Sequence, residues 1–371
     1  MKAFFVSETQ GWSGGAAQLL NLAKGLGGLG WDVILGSPED GEAAKRAKAA
    51  GIRHIPIHPR QDYDLITARK IAKLVDRFGI DVLHAHHPRA HAVGLSSLYL
   101  GRRKPVFVVS RRVSFAVKRN PFSQLKYRNP RIDAFISVAD NVRRELVGGG
   151  VDPAKVKTIP SGVDTELFSP READPAILES LKVPEGAALI GKIANYSDWK
   201  GQKILLEAGA KMLESGRDVV LLFAGRDTDG DDIKSVAKEM GFPEEKARFL
   251  GFRSDVDALL PCLDVSVNAA VRGEGISGAL RESLSMEIPC AASDAGGNSE
   301  LVVEGITGRL FKKGHAGDLA RVLAEILDDR ELAKKQAKRG REIVAERFSV
   351  DCMVNSTDKF YRELLARRNG A

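Results

Sequence analysis

Short β-branched and aromatic runs alternate with amphipathic stretches along nearly the whole chain. The alternation stops once, near the middle, and then restarts. Runs suited to strands fall at 2–7, 31–36, 53–57, 81–86, 105–110, 133–138 and 156–159, with helical periodicity between most of them. The stretch 64–78 shows that periodicity well: Ile71, Ala72, Val75 and Phe78 continue one apolar face behind Asp64 as the cap. Such alternation predicts parallel sheets covered on both sides. The interruption is turn-rich, running from Pro160-Ser161-Gly162-Val163-Asp164 through Ser169-Pro170 to Pro175. Beyond it, strands are predicted at 188–194, 218–224, 247–251, 263–268, 289–293 and 309–311. The expected architecture is α/β, with two doubly wound domains at 1–165 and 166–349. A C-terminal helix at about 350–371 is expected to return to the first domain. Ligands of open parallel sheets bind beyond the carboxyl ends of the strands, so a deep cleft between the domains is the expected place for chemistry.

Composition removes several function classes. The 371 residues are 43% hydrophobic and 28% charged, as in ordinary globular proteins. No apolar run approaches the ~18 residues of a membrane span, and the first residues lack the pattern of a secretory leader. A cytoplasmic protein is expected. Cys262, Cys290 and Cys352 are too few and too scattered for a disulfide framework or a zinc site. The net charge is +7 and unevenly spread: between Asp81 and Asp133 there is no acidic residue but eleven basic ones. A charge excess of this kind attracts an anionic partner, whether nucleic acid, a membrane face or a phosphorylated small molecule. None of the recognisable nucleic-acid modules occurs, so that class is disfavoured.

Several motifs invite chemical readings. Gly25-Leu26-Gly27-Gly28-Leu29-Gly30 fits the dinucleotide fingerprint, but a helix precedes it and a strand follows, the reverse of the required order; these glycines end a helix. The loop Gly11-Trp12-Ser13-Gly14-Gly15 stands in the right place, after the first strand and before a helix. It is either an anion-accepting helix start or a plain tight turn. Asp227-Thr228-Asp229 resembles a metal-binding Asp-x-Asp, yet a solvated loop with a helix cap explains it better. His84, His86, His87 and His91 cluster at a strand end. They lack the carboxylates of a metal site, which leaves an active-site histidine or core histidines. The strongest signal is Gly273-Glu274-Gly275-Ile276-Ser277-Gly278-Ala279-Leu280-Arg281-Glu282. It places Glu274 in a glycine loop and Glu282 on the helix that follows, both able to accept paired sugar hydroxyls.

With that pair in view, the chain resembles the retaining GT-B-type glycosyltransferases of family 4. These carry E-G-x-P-x-x-x-x-E, matched here by Glu274-Gly275-Ile276-Ser277 and Glu282. Further matches follow in family order: Asp81-Val82-Leu83-His84-Ala85-His86, the linker Pro160-Ser161-Gly162-Val163-Asp164, Lys200-Gly201, Gly296-Gly297 with Glu300, and Gly305 with Gly308. Three positions depart. Asn195 stands where an arginine is usual, with Lys192 a nearby cation on the same strand; Ser277 replaces the proline; and Ala16-Ala17-Gln18 lacks the usual glutamate.

The resemblance implies two Rossmann-like domains and transfer of a sugar from a UDP, GDP or ADP sugar, with retention, without metal and without another cofactor. It implies Lys200 at the diphosphate, Glu274 at the donor sugar with Gly275, Ile276 and Ser277, and Glu282 at the ribose. Gly14, Gly15, Asn195 and Arg226 join the donor site, and His86 faces the donor sugar. The acceptor falls to the first domain, where the basic tract supplies Arg111, Arg112, Lys118, Arg119, Lys126 and Arg128. Their interleaving with Phe115, Phe122, Leu125 and Tyr127 fits an anionic glycan or glycolipid of lipopolysaccharide or envelope synthesis. It also fits docking on the inner membrane face, with a solvated basic surface as the plain alternative. A nucleotide-sugar epimerase or phosphorylase of the same fold is the rival enzyme class.

Overall fold

The computed structural model describes every residue except Arg119 and Ala371, and Asn369 by its backbone alone. Arg119, expected on the acceptor side, therefore lies outside the described residues. Strands form where the alternation placed them: β1 (Lys2–Val6), β2 (Asp32–Ser37), β3 (Arg53–Pro56), β4 (Val82–Ala85), β5 (Val106–Arg111), β6 (Ala134–Ser137) and β7 (Val156–Thr158). After the linker come β8 (Ala188–Ile193), β9 (Val219–Ala224), β10 (Ala247–Phe249), β11 (Val265–Asn268), β12 (Cys290–Ser293) and β13 (Arg309–Phe311). Some end earlier than expected. The tract at 247–251 stops at Phe249, and Gly251 beyond it turns with a positive φ of 65°.

The strands make two parallel sheets, ordered β3-β2-β1-β4-β5-β6-β7 and β10-β9-β8-β11-β12-β13. This is the α/β, two-domain GT-B-like architecture. The chain divides into two units, Met1–Gly162 with the C-terminal segment from Val350, and Val163–Ser349.

In the first unit, β1 is central, with Phe4 opposite Ile34 on one side and Leu83 on the other. Its side chains alternate: Ala3 and Phe5 enter one core, Phe4 and Val6 the other. The C-terminal helix Val350–Asn369 closes the Phe5 face through Met353, Val354, Phe360 and Tyr361. In the second unit, β8 likewise sends Ile190 to one core and Leu189 to the other.

Each sheet reverses its winding once. The strand order runs outward in one direction from β1 and in the other from β4, and likewise from β8 and from β11. Loops leaving adjacent strands at such a switch point diverge and open a crevice for ligands.

Candidate functional site

In the second unit, the switch point gathers the loops after β8 and β11. The β8 loop carries Asn195 and ends at Lys200-Gly201, where the helix Gln202–Glu214 begins. Gly201 has a φ of 76°, and a Cβ there would lie 1.9 Å from the carbonyl oxygen of Ala269 just beyond β11, so no side chain fits. That close approach ties the two loops. It sets the Lys200 ammonium 2.5 Å from a carboxylate oxygen of Glu274 and 4.3 Å from the centre of the Trp199 ring.

The Glu274 loop is braced from behind. Gly296 turns with a φ of 63°, and a Cβ would come within 2.3 Å of the Glu274 carbonyl oxygen; the Gly297 N–H donates to the carbonyl of Gly275 at 2.7 Å. Glu274, Gly275, Ile276 and Ser277 are all buried. Ser277, in the usual proline's place, is the N-cap of the helix Gly278–Ser285. Glu282 lies on that helix, partly buried, with its carboxyl raised above the usual range by removal from water and Arg281 opposing. Its carboxylate makes no hydrogen bond to the described residues, so its acceptor capacity is unspent.

Spacing alone gave no reason to single out Arg281. It reads as one more helix residue between the two glutamates, and only its burial betrays it. The side chain is 4% exposed, Nη1 donates to the carbonyl of Ile276 at 3.1 Å, and burial lowers its pKa to about 10 against the pull of Glu282 and Glu274. A buried guanidinium thus stands within electrostatic reach of both glutamates.

Arg226 is exposed after β9, and its N–H donates to Asn195 Oδ1 at 3.0 Å. The neighbouring Asp-Thr-Asp is a turn organised by its threonine rather than a helix cap. Thr228 Oγ1 donates to the Gly225 carbonyl at 2.9 Å and accepts from the Gly251 N–H at 3.1 Å. The following helix, Asp231–Glu239, is capped by Gly230 without a side-chain bond. Among the described residues no three His, Cys, Asp or Glu side chains are grouped to hold a metal ion.

In the first unit, the switch point lies between β1 and β4. The helix Gly14–Gly28 starts at the glycine loop, with Ser13 as its cap, and continues through Gly25 to Gly28, so the fingerprint-like glycines are its last turn. His86 follows β4 directly and is 2% exposed, its ring 3.9 Å from that of His84. Its Nδ1 lies 3.3 Å from Arg112 Nη2, its Nε2 has no partner among the described residues, and burial holds it neutral, well below the usual histidine range. His84 is tied into the core between Ser110 Oγ at 2.8 Å and Tyr361 Oη at 2.5 Å. His87 shares hydrogen bonds with Ser7 Oγ at 2.9 Å and Thr9 Oγ1 at 3.0 Å, and burial brings its pKa to about 4. A Cβ on Gly15 would lie 3.6 Å from His87 Nε2 and 3.7 Å from Arg112 Cδ, while Gly14 faces open space. The structure therefore brings Gly15, His86, His87 and Arg112 together.

The basic residues expected at the acceptor do not share one face. Arg112 leaves them for Ser161 Oγ, 3.0 Å away, and for His86. Arg111, its neighbour in sequence, turns the other way and donates to Tyr127 Oη at 2.5 Å. Successive side chains at a strand end point to opposite sides. Lys126 spends its charge internally, on Asp62 at 3.0 Å and on the Pro88 carbonyl at 2.7 Å. Lys118 and Arg128 are exposed.

Two family models match in tandem: Glycosyltransferase Family 4 over residues 12–167 and Glycosyl transferases group 1 over residues 174–343. The chain belongs to glycosyltransferase family 4. This family 4 glycosyltransferase is 24% identical to the N-acetyl-alpha-D-glucosaminyl L-malate synthase of Bacillus anthracis, over 82% of this chain and 80% of that one. It is 26% identical to the lipopolysaccharide core biosynthesis mannosyltransferase LpcC of Rhizobium leguminosarum, over 76% and 78%. Among solved structures it is similar to Anabaena Alr3699/HepE in complex with UDP and glucose, with a TM-score of 0.84, 21% identity and coverage of 98% and 100%. The glycosyltransferase has no described helix long and apolar enough to cross a membrane.

Proposed function

We propose that this glycosyltransferase moves a sugar, with retention and without metal, from a nucleoside-diphosphate sugar to an anionic glycolipid or glycan of lipopolysaccharide or envelope synthesis. The observation that carries the reading is the set of groups at the β8–β11 switch point. Lys200 and the buried Arg281 supply positive charge for a leaving diphosphate. Glu274 is held by Lys200 for the donor sugar, and the unspent Glu282 carboxylate suits a ribose diol. The Anabaena protein binds UDP and glucose, and the Rhizobium relative is named for lipopolysaccharide core synthesis, which support the donor and acceptor classes.

The first unit carries the acceptor in this reading. The Lys126–Asp62 ion pair joins the helix Pro121–Tyr127 to the turn that starts the helix Leu65–Phe78. Large apolar side chains stand exposed on both segments, Ile66 at 87% and Phe122 at 85%, with Tyr63 and Leu125 close behind. Exposed cations beside them complement an anionic membrane, where a lipid-borne acceptor would sit.

The test is a melting screen with UDP-glucose, UDP-N-acetylglucosamine, GDP-mannose and ADP-glucose, because a bound donor raises the melting temperature. The stabilising donor is then incubated with phosphatidylinositol or a lipopolysaccharide core oligosaccharide in excess chelator. Transfer with the donor's anomeric configuration is expected. Turnover only after magnesium or manganese is added, or an inverted product, overturns those parts of the reading. Conversion of the donor without acceptor would instead make the protein an epimerase.

A further inference from the structure

Lys192 is the fifth residue of the six-residue strand β8, opposite Phe223 of β9. The alternation of the strand puts it on the same face as Ile190, whose cross-strand partners Leu221 and Val265 are core residues. It is 1% exposed, and among the described residues no hydrogen bond or ion pair reaches its ammonium. An isolated ammonium in such a place is expensive, and the ordinary outcome is loss of its proton. Burial, and then repulsion from Lys200, lower its pKa to about 7, with Glu274 the only opposing charge.

Its position has a chemical sense that its packing lacks. A valine or isoleucine would fill the strand without cost. The lysine instead ends at the carboxyl edge of β8, at the switch point, within the field of Lys200 and Glu274. Asn195, in the loop that follows the strand, is uncharged and spends its Oδ1 on the Arg226 N–H. A buried lysine with no partner among the described residues, beside an ion pair assigned to the donor, is suited to an anion that is not part of the protein.

We propose that Lys192 is a proton-linked contact for the donor diphosphate: its amine takes a proton from solvent as the anion arrives and releases it as the nucleotide departs. The inference rests on the donor reading of the second unit. The balance is simple. One proton moves from solvent to Nζ, no covalent bond in the nucleotide changes, and the ammonium formed pairs with phosphate oxygen. Only Lys200 and Glu274 couple to it electrostatically, so the local charge goes from one net neutral pair to that pair plus one cation facing the anion.

Calorimetric titration with UDP, GDP and ADP tests this, each run in two buffers of different ionisation enthalpy so that proton uptake is read directly. For the wild type, uptake on binding should rise from near zero well below pH 7 towards one proton as the pH is raised above it. Lys192→Met, close in volume, should lose the uptake and bind the same nucleotide at least ~10-fold more weakly, while melting at or above the wild-type temperature. Lys192→Arg, charged at every pH, should bind without uptake. Equal affinity and equal uptake in wild type and Lys192→Met overturn the proposal and leave the donor reading standing. Wild type with no uptake overturns it without reference to any variant. No binding of any of the three nucleotides overturns the donor reading, and this proposal with it.

Discussion

Lys200 and Glu274, seventy-four positions apart, meet at 2.5 Å across the two loops that flank the winding reversal of the second sheet. Both side chains retain some exposure, 21% and 10%, so the pair lies at a surface a ligand can reach. A charge-assisted hydrogen bond contributes roughly 1.5–3 kcal/mol. Lys200→Met should therefore slow transfer at least ~10-fold. Glu274→Gln should lower kcat by a similar factor yet leave binding of the free nucleotide unchanged, since Glu274 is assigned to the sugar. Initial rates with isothermal titration of the nucleotide separate the two; a Glu274→Gln variant that binds nucleotide poorly contradicts the assignment.

Glu282 allows a test by pH. Its carboxyl is raised above the usual range by removal from water. Only the ionised form accepts both hydroxyls of a diol. Nucleotide affinity should therefore be full at neutrality and fall as the pH drops through the raised pKa. Glu282→Ala should bind at least ~10-fold more weakly at neutrality and show a flatter profile. Dissociation constants across the acid range check this, and parallel profiles for the two proteins would remove Glu282 from the ribose.

Much of this was legible in the residues. Short apolar runs bounded by turns mark the strands, because parallel strands are buried on both faces, and the 3.6-residue period marks the helices between them. The glutamate pair and Lys200-Gly201 are visible because glycine loops at helix starts are short, local signals. What was not legible is direction. Arg111 and Arg112 look alike in sequence, but one binds Tyr127 and the other Ser161 and His86. Lys126 reads as an open cation until Asp62, sixty-four positions away, is folded against it. Arg281 is concealed for the same reason: burial of a charged residue follows from tertiary packing, and no local pattern encodes it.

The C-terminal helix should be essential to the first unit. Tyr361 is wholly buried, stands edge-on to Trp31 at 5.4 Å, and bonds His84 at 2.5 Å, while Trp31 Nε1 donates to Asp358 at 2.7 Å. Tyr361→Ala should cost about 3–5 kcal/mol by cavity formation. Tyr361→Phe should cost about 1–3 kcal/mol, because His84 Nδ1 is left without its partner. Urea unfolding gives both values; a negligible cost for Tyr361→Ala would mean that the helix is only loosely attached.

The same core makes the first unit acid-sensitive. His84, His86 and His91 are held neutral well below the usual histidine range by burial, and His87 is lowered to about 4. Their folded pKa values lie below the unfolded value of about 6.5. The unfolded chain thus binds more protons once the pH falls below that point. Stability is complete above it and is lost as the pH falls towards the folded values, by up to about 1.4 kcal/mol per pH unit for each histidine. Unfolding midpoints should fall steeply on acidification in the wild type and less steeply in His91→Phe. Equal slopes would show that His91 does not contribute.

The exposed apolar cluster of the first unit gives the last test. Ile66 and Phe122 are almost fully exposed, on segments joined through Lys126 and Asp62, and Lys118 and Arg128 add exposed charge nearby. Lys126 is committed to an internal pair, so reversing its charge would disturb the fold as well as the surface. Ile66→Glu with Phe122→Glu is the cleaner probe, because both side chains are solvent-exposed and their replacement should leave the melting temperature unchanged. An apolar contact inserted at the lipid boundary adds to attraction between basic residues and anionic headgroups, and salt screens only the second part. Sedimentation with phosphatidylglycerol-containing vesicles should therefore weaken, but not vanish, for wild type at physiological salt. The double variant should bind more weakly than wild type at low salt and lose binding at physiological salt, where its remaining electrostatic attraction is screened, with nucleotide binding unchanged because the proposed donor groups lie in the second unit. Equal sedimentation of the two proteins would leave these side chains as ordinary exposed residues with no part in docking.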